Sequence, residues 1–318
     1  MNAIPKIPLG CWPTPLQELR TLGRMLGDGK RFFVKRDDLC GVGLGGNKVR
    51  KMEYFLAEAL AQGCDCIITG GGSQSNQTIA AAACACKTGL SAHLVVPETT
   101  GPTPRQLGEL LGATFHFVEK ADQVKRGIRQ VEKELRAAGF HPFIISPGAN
   151  TPEGILGYVD AMRELYSQAA EQDLMIDHVV CCGGTGNTYA GVVLGTKLFS
   201  PNTTATVISV ARRFTHKETL HKMIRQAEVL LGCSSDLTMD DFHIHFCSGK
   251  GLNDATPKGK AAMEYMAQQE GIFLDPVYTG KAFVGLLEMN EQGLFQNGDS
   301  IVFLHSGGML TLRNSFTK

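Results

Sequence analysis

Tryptophan occurs once in 318 residues, and the formal charges cancel, with 31 Lys+Arg against 31 Asp+Glu. A net charge of zero gives no support for a nucleic-acid or acidic-membrane partner. No apolar run approaches the length of a membrane-crossing helix. The opening stretch "MNAIPKIPLGCWPTPLQEL" has neither an apolar h-region nor a cleavage site, so no secretory signal is expected and a cytoplasmic location is. No internal repeat, low-complexity tract or long linker interrupts the chain, so composition sets no domain boundary. The 10 cysteines include two C-x-C pairs, Cys64/Cys66 and Cys84/Cys86, but lack the C-x-x-C spacing of zinc sites. They read as thiols in apolar surroundings, and no metal is expected.

What is abundant is glycine, at 37 residues, within a 43% hydrophobic composition that is ordinary for a globular chain. The length suggests two domains or one large α/β unit. Short apolar runs such as "RFFVKRD", "CDCIITGGG", "SAHLVVPE", "HPFIISPG", "DHVVCCGG", "TATVISVAR" and "DSIVFLHSGG" alternate with helical patterns almost throughout. Nearly continuous apolar strands between helices imply parallel strands buried on both faces. In such sheets ligands bind at the carboxyl ends of strands, in the turns that lead to helices. That rule selects "GGGSQSNQT", "GGTGNTYAG", "DPVYTGKA" and "HSGG".

"CCGGTGNTYAG" follows a strand and opens a helix. Its glycines let backbone N–H groups face outward, and the helix dipole adds positive potential. Thr185, Asn187 and Thr188 can add side-chain donors, which makes a cradle for a phosphate. It is neither a P-loop nor a G-x-G-x-x-G fingerprint. A glycine turn that packs helix on strand is an equal alternative from this stretch alone. "GGGSQSNQT" has the same setting, and Ser75, Asn76 and Gln77 would stand where helix N–H donors are free. The turn suits a carboxylate, although Ser or Asn capping the alanine-rich helix explains it as well.

In "GLGGNKVRKMEY", Lys48 stands at the mouth of a helix, where a positive charge is poorly placed. An amine wanted uncharged or covalently modified would resolve this. A lysine, a phosphate cradle and a carboxylate turn together suggest pyridoxal 5′-phosphate (PLP), whose aldehyde condenses with an amine and whose ring acts as an electron sink.

At these residues the sequence resembles a known family. "VKRDDLCGVGLGGNKVRKMEY", "GGGSQSNQT", "GGTGNTYAG", "EGIFLDPVYTGKA" and "FLHSGG", in this order, look like D-cysteine desulfhydrase and 1-aminocyclopropane-1-carboxylate (ACC) deaminase, which are fold-type II PLP enzymes. The resemblance runs from "PTPLQEL" to "HSGG". It implies two doubly wound, mostly parallel three-layer α/β/α domains: a small one over 48–157 and a large one over 1–47 plus 158–318. It implies a homodimer acting on a small amino acid. By the resemblance Lys48 carries PLP, and Asn47 or Asn76 lies near the ring 3′-oxygen. Gly184, Thr185, Gly186, Asn187 and Thr188 hold the phosphate. Ser75, Asn76 and Gln77 hold the substrate carboxylate, with Ser75 beside the reacting carbon. Tyr278 stacks near the cofactor and lines the substrate site, while Thr279 and Ser306 face the pyridine nitrogen.

That last pair separates the two activities. ACC deaminases are expected to have Glu after the motif tyrosine and an apolar residue after the histidine of "H-x-G-G"; D-cysteine desulfhydrases have hydroxyls at both. Here both are hydroxyls. A hydroxyl that donates to a neutral nitrogen gives a weaker electron sink than a carboxylate that keeps the nitrogen protonated. The weaker sink suffices for β-elimination, so a desulfhydrase giving pyruvate, ammonia and sulfide is expected. ACC deamination is the alternative, as is action on L-cysteine, D-serine, cysteate or diaminopropionate. The stretch "CSGKGLNDATP" departs from the family, with Cys247 and Leu252 where tyrosines are usual, which alters the pocket beside the leaving group. Elsewhere, His305 reads as a packed strand-end histidine and Asp37/Asp38 as an ion-pair cluster with Lys35 and Arg36. Arg212, Arg213, His216 and Lys217 read as a solvated loop and helix start.

Overall fold

The computed structural model describes residues 1–26, 29–210, 216–247 and 256–312. The predicted alternation is realised as two sheets. The smaller contains β3 (Cys66–Gly70), β4 (Ser91–Pro97), β5 (Thr114–Val118) and β6 (Pro142–Ile145), in the order β5-β4-β3-β6 and parallel throughout. The larger contains β1 (Leu16–Glu18), β2 (Arg31–Arg36), β7 (His178–Gly183), β8 (Thr204–Ser209), β9 (His243–Phe246) and β10 (Ser300–His305). Its order is β1-β2-β10-β7-β8-β9, and only β1, at the edge, runs antiparallel to its neighbour.

Both sheets are covered on both faces, which is why their strands read as unbroken apolar runs. Along β7, Val179 and Cys181 enter one core while Val180 and Cys182 enter the other. In β10, Val302 and Leu304 take the first side, and Ile301 and Phe303 the second. The first core is roofed by α6 (Pro152–Glu171), α7 (Asn187–Phe199) and α8 (Lys217–Leu231). The second is closed by α1 (Arg20–Leu26), α9 (Pro257–Glu270) and α10 (Thr279–Glu291), with the short α11 (Met309–Leu312) following β10. In the small sheet, Ile67 and Leu94 face α2 (Lys48–Ala61) and α3 (Asn76–Thr88), whereas Ile68 and Val95 face α5 (Val124–Ala137). A further helix, α4 (Pro102–Leu110), links β4 to β5.

Helix α2 joins the two halves. Met52, Phe55 and Leu56 belong to the small-sheet core, while Tyr54 packs in the core beneath α6 and α7. Small residues bring these helices backbone to backbone: a Cβ on Gly157 of α6 would lie 2.8 Å from the Arg50 carbonyl of α2. Arg50 then reaches a buried network. It pairs with Asp37 (2.8 Å) and Glu164 (3.0 Å), and Lys35 donates to Glu164 (2.5 Å), Gln168 (2.6 Å) and the Thr14 carbonyl (2.6 Å). The helix that begins with Lys48 is thereby anchored on both flanks.

Candidate active site

The turn into α2 is set by glycines that no other residue can replace without movement. Gly45 (φ +71°) would place a Cβ 2.0 Å from the Asp38 carbonyl, and Gly46 (φ +101°) one 2.7 Å from the Ser306 carbonyl. The Gly46 N–H donates to the Asp37 carbonyl (2.9 Å) and the Asn47 N–H to the Ser306 carbonyl (3.0 Å). Lys48 is thus fixed at the carboxyl ends of β2 and β10. It is partly buried, and that burial pulls its amine down to about 8. An amine so tuned has a far larger neutral fraction near physiological pH than an ordinary lysine, as nucleophilic and proton-accepting lysines require.

The glycine loop after β7 meets this turn directly. Asn47 donates to the Thr188 hydroxyl at 2.9 Å. Gly186 takes φ +89° as α7 begins at Asn187. None of the N–H groups of Thr185 to Thr188 finds an acceptor among the described residues. Free N–H groups at the positive end of a helix form an anion site. The Asn187 side chain does not supply a donor to that site, contrary to expectation. It accepts from Lys51 Nζ (2.7 Å) and donates to the Thr151 carbonyl (2.8 Å), so its backbone N–H is what it can offer. Lys51, fully buried one turn after Lys48, was not singled out from the sequence. Burial and the Lys48 charge hold its amine well below the usual lysine range. Its three-residue spacing from Lys48 on one helix face was the available signal.

On the small sheet, Ser75 stands at the start of α3, but its hydroxyl makes no capping bond. A Cβ on Gly71 would strike it at 2.2 Å, so Gly71 is needed for Ser75 to sit there. Gln77 is 2% exposed, and neither end of its amide has a hydrogen-bond partner. A buried amide with no partner is costly, and its presence at a helix N-terminus points to a ligand that satisfies it. Asn76 opens the same turn. No hydrogen bond among the described residues joins this turn to Lys48, but the loop entering α2 lies against α3: a Cβ on Gly43 would be 3.0 Å from Ala83 Cβ.

Tyr278 lies over the glycine loop, 3.4 Å from where a Gly184 Cβ would stand. Burial, with Cys182 and Asp275 adding to it, pushes its hydroxyl up to about 12, so the phenol stays protonated. Thr279 is fully buried, and its hydroxyl is committed: it donates to Asp275 Oδ1 (2.8 Å) and accepts the Asp275 N–H (2.9 Å). It is not free to donate to a ring nitrogen, as the sequence reading expected. Ser306 keeps its hydroxyl unengaged among the described residues, while its carbonyl holds Asn47. His305 uses both nitrogens internally, one on the Phe273 carbonyl (2.7 Å) and one accepting the Gly307 N–H (3.2 Å), which leaves no base. Cys247 follows β9 and packs against the second core; Leu252, Arg212 and Arg213 lie outside the described residues.

A partly neutral lysine, a cradle of N–H groups with no protein acceptor among the described residues joined to it through Asn47, and an orphaned amide fit PLP with an amino acid beside it. Residues 7–307 match the pyridoxal-phosphate dependent enzyme family. The chain belongs to that family and is a PLP-dependent enzyme of fold type II. A relative from Pyrococcus abyssi, provisionally named 1-aminocyclopropane-1-carboxylate deaminase, is 36% identical over 97% of this chain and 93% of its own length. The D-cysteine desulfhydrase of Salmonella newport is 31% identical over 97% of this chain and 95% of its own. A solved ACC deaminase homologue superposes with a TM-score of 0.88 at 32% identity, covering 97% of this chain and 93% of the other. A solved threonine deaminase from T.th., at 21% identity over 93% of this chain and 92% of its own, shares the fold (TM-score 0.69). No described helix is long and apolar enough to cross a membrane, and no described group of three His, Cys, Asp or Glu could hold a metal ion.

Proposed function

We propose that the chain is a lyase that removes the β-substituent of a small amino acid, with D-cysteine as the favoured substrate. The observation that carries this reading is the orphaned Gln77 amide beside the uncapped Ser75 hydroxyl, a seat built for a carboxylate. Lys48 carries PLP, with the backbone N–H groups from Gly184 to Thr188 on its phosphate and Asn47 or Asn76 near the ring 3′-oxygen. When bound, PLP withdraws electron density from the amino acid Cα. Ser75, Asn76 and Gln77 orient the carboxylate so that the Cα–H bond points at the Lys48 amine. The amine of the incoming amino acid would take the place of Lys48, and the Lys48 amine so freed, drawn down to about 8 by burial, accepts the Cα proton. The Cβ–S bond then breaks, sulfur leaving with the bonding pair. Lys48 then retakes its place and releases the three-carbon enamine, which takes a proton at Cβ to become an imine that water hydrolyses to pyruvate and ammonia. Tyr278 lines the leaving-group side with its hydroxyl protonated.

ACC deamination is the second reading. It is supported by the provisional name of the P. abyssi relative and by the buried Asp275 carboxylate directly behind Thr279. The small unit over 48–157 and the pairing of two copies belong to the same proposal. A panel of D- and L-cysteine, ACC, D-serine, cysteate and diaminopropionate, scored for pyruvate, 2-oxobutyrate and sulfide, tests it. Sulfide and pyruvate from D-cysteine above all other substrates is the expected result. 2-Oxobutyrate from ACC as the main product would select the second reading, and no keto acid from any of them would refute both.

A further inference from the structure

The turn "DPVYTG" is organised around Asp275, a fully buried carboxylate that accepts five hydrogen bonds. Oδ2 takes the N–H groups of Val277 (2.9 Å) and Tyr278 (2.9 Å) and the Thr311 hydroxyl (3.0 Å). Oδ1 takes the Thr279 N–H (2.7 Å) and the Thr279 hydroxyl (2.8 Å). A carboxylate accepts only, so the single hydroxyl proton of Thr279 is spoken for. One lone pair of that hydroxyl is taken by the Asp275 N–H, which leaves one lone pair pointing elsewhere. Breaking the hydroxyl–carboxylate bond would strand a buried donor and weaken a charge-assisted contact.

Asp275 is also tied to the turn that places Lys48. A Cβ on Gly308 would lie 2.3 Å from Asp275 Oδ1, and one on the adjacent Gly307 would lie 2.7 Å from Gly46 Cα. The groups around the carboxylate leave its charge uncancelled by any contact just named. Cys182 of β7 is pushed well above the usual thiol range by burial and by Asp275, so it stays neutral, as does Tyr278. Lys281 of α10 has its own partner and acts on Cys182 from a distance. Thr311 of α11 donates.

We propose that Asp275 is a positioning residue of the cofactor site: it turns the Thr279 hydroxyl so that oxygen, not hydrogen, faces the ring nitrogen of PLP, and that nitrogen keeps its own proton. This rests on the reading above that Thr279 faces the ring. The Asp275–Thr279 pair then does through one intervening hydroxyl what a directly contacting carboxylate does elsewhere. The hydroxyl at position 279 therefore does not mark a weak electron sink, and it does not by itself argue against opening a strained ring. Ser306, whose hydroxyl is unengaged, can follow either protonation state and does not set it.

The test is the protein reconstituted with PLP labelled with 15N in the ring, read by 15N NMR across pH. The wild type is expected to show a protonated ring nitrogen at neutral pH. Thr279→Val should lower the midpoint of nitrogen protonation by about 1–2 pH units, the worth of one hydrogen bond to a charged group. Thr279→Ser should restore it, and Asp275→Asn should match the valine variant; should Asp275→Asn not fold, the Thr279 pair decides. An unprotonated wild-type nitrogen, a midpoint unmoved by Thr279→Val, or no rescue by serine would overturn the proposal. Borohydride capture at Lys48 on the same samples keeps the two questions apart. Capture with an unprotonated nitrogen refutes this inference alone, whereas no bound PLP refutes the underlying reading and this inference with it.

Discussion

Raising the pH across the range from 6 to 10 should switch on the reaction of apoprotein with PLP at Lys48, with a midpoint near the value burial imposes on that amine. An ordinary lysine titrates at 10.5, and Lys48 is drawn down to about 8. At pH 7 about 9% of such an amine is neutral, against roughly 0.03% for the ordinary lysine, an enrichment of about 300-fold. The linkage has a definite sign. Between about 8 and 10.5 the unfolded chain binds the proton that the folded chain has released, so the apoprotein gains stability from this group as pH rises through that interval. The assay is stopped-flow absorbance at low PLP, with each rate corrected only for the protonation state of PLP itself, titrated separately in the same buffer. The corrected rate should level off above pH 8 to 9. A corrected rate that climbs without a plateau to pH 10 would show that the amine is not perturbed and would refute the burial argument.

Three further outcomes follow from the geometry. Gln77→Leu removes an amide that has no partner, so the apoprotein should gain about 1 kcal/mol in denaturant unfolding while the KM for the amino acid rises; a loss of stability with KM unchanged would mean that the amide serves the fold. Gly46→Ala adds a Cβ 2.7 Å from the Ser306 carbonyl at φ +101° and should cost about 1–3 kcal/mol together with PLP affinity, whereas Gly63→Ala, with φ +67° and open space, should cost about 1 kcal/mol and leave PLP binding intact. Asp37→Asn removes one of the two carboxylates that pair with the buried Arg50, leaving Glu164 alone to balance it, and should destabilise by about 3 kcal/mol. Arg50 holds the carboxyls of Asp37 and Glu164 below their ordinary values of 3.8 and 4.5, so the stability they contribute is present above those values and lost as pH falls through the lowered ones. An acid-unfolding curve that Asp37→Asn leaves unmoved would contradict this.

The architecture was legible because its strands are apolar on both faces and its turns carry glycine, so alternation alone identified parallel sheets. β1 was not, since three residues, Leu16–Glu18, on a sheet edge carry no periodicity. At the candidate site, Lys48, Ser75 and the glycine loop could be singled out because each is a local feature of a turn that leads into a helix. What escaped depends on partners far apart in sequence. Arg36 does pair with Asp38 (2.7 Å), as the "KRDD" cluster suggests, but Asp37 turns inward to Arg50 and Tyr158, 13 and 121 residues away. Asn187 is claimed by Lys51 across 136 residues. The state of the Thr279 hydroxyl follows from backbone geometry that places its oxygen and the Asp275 carboxylate together, and residue identity alone does not reveal where a hydroxyl proton points.

The central claim is that the amine of Lys48 anchors PLP. Borohydride reduction of the purified holoprotein, digestion and peptide mass mapping test it directly. The account predicts a single pyridoxyl-modified peptide carrying the label on Lys48, absent from Lys48→Ala. Label on Lys51 or another lysine in the wild type, or an unchanged cofactor spectrum in Lys48→Ala, would contradict it.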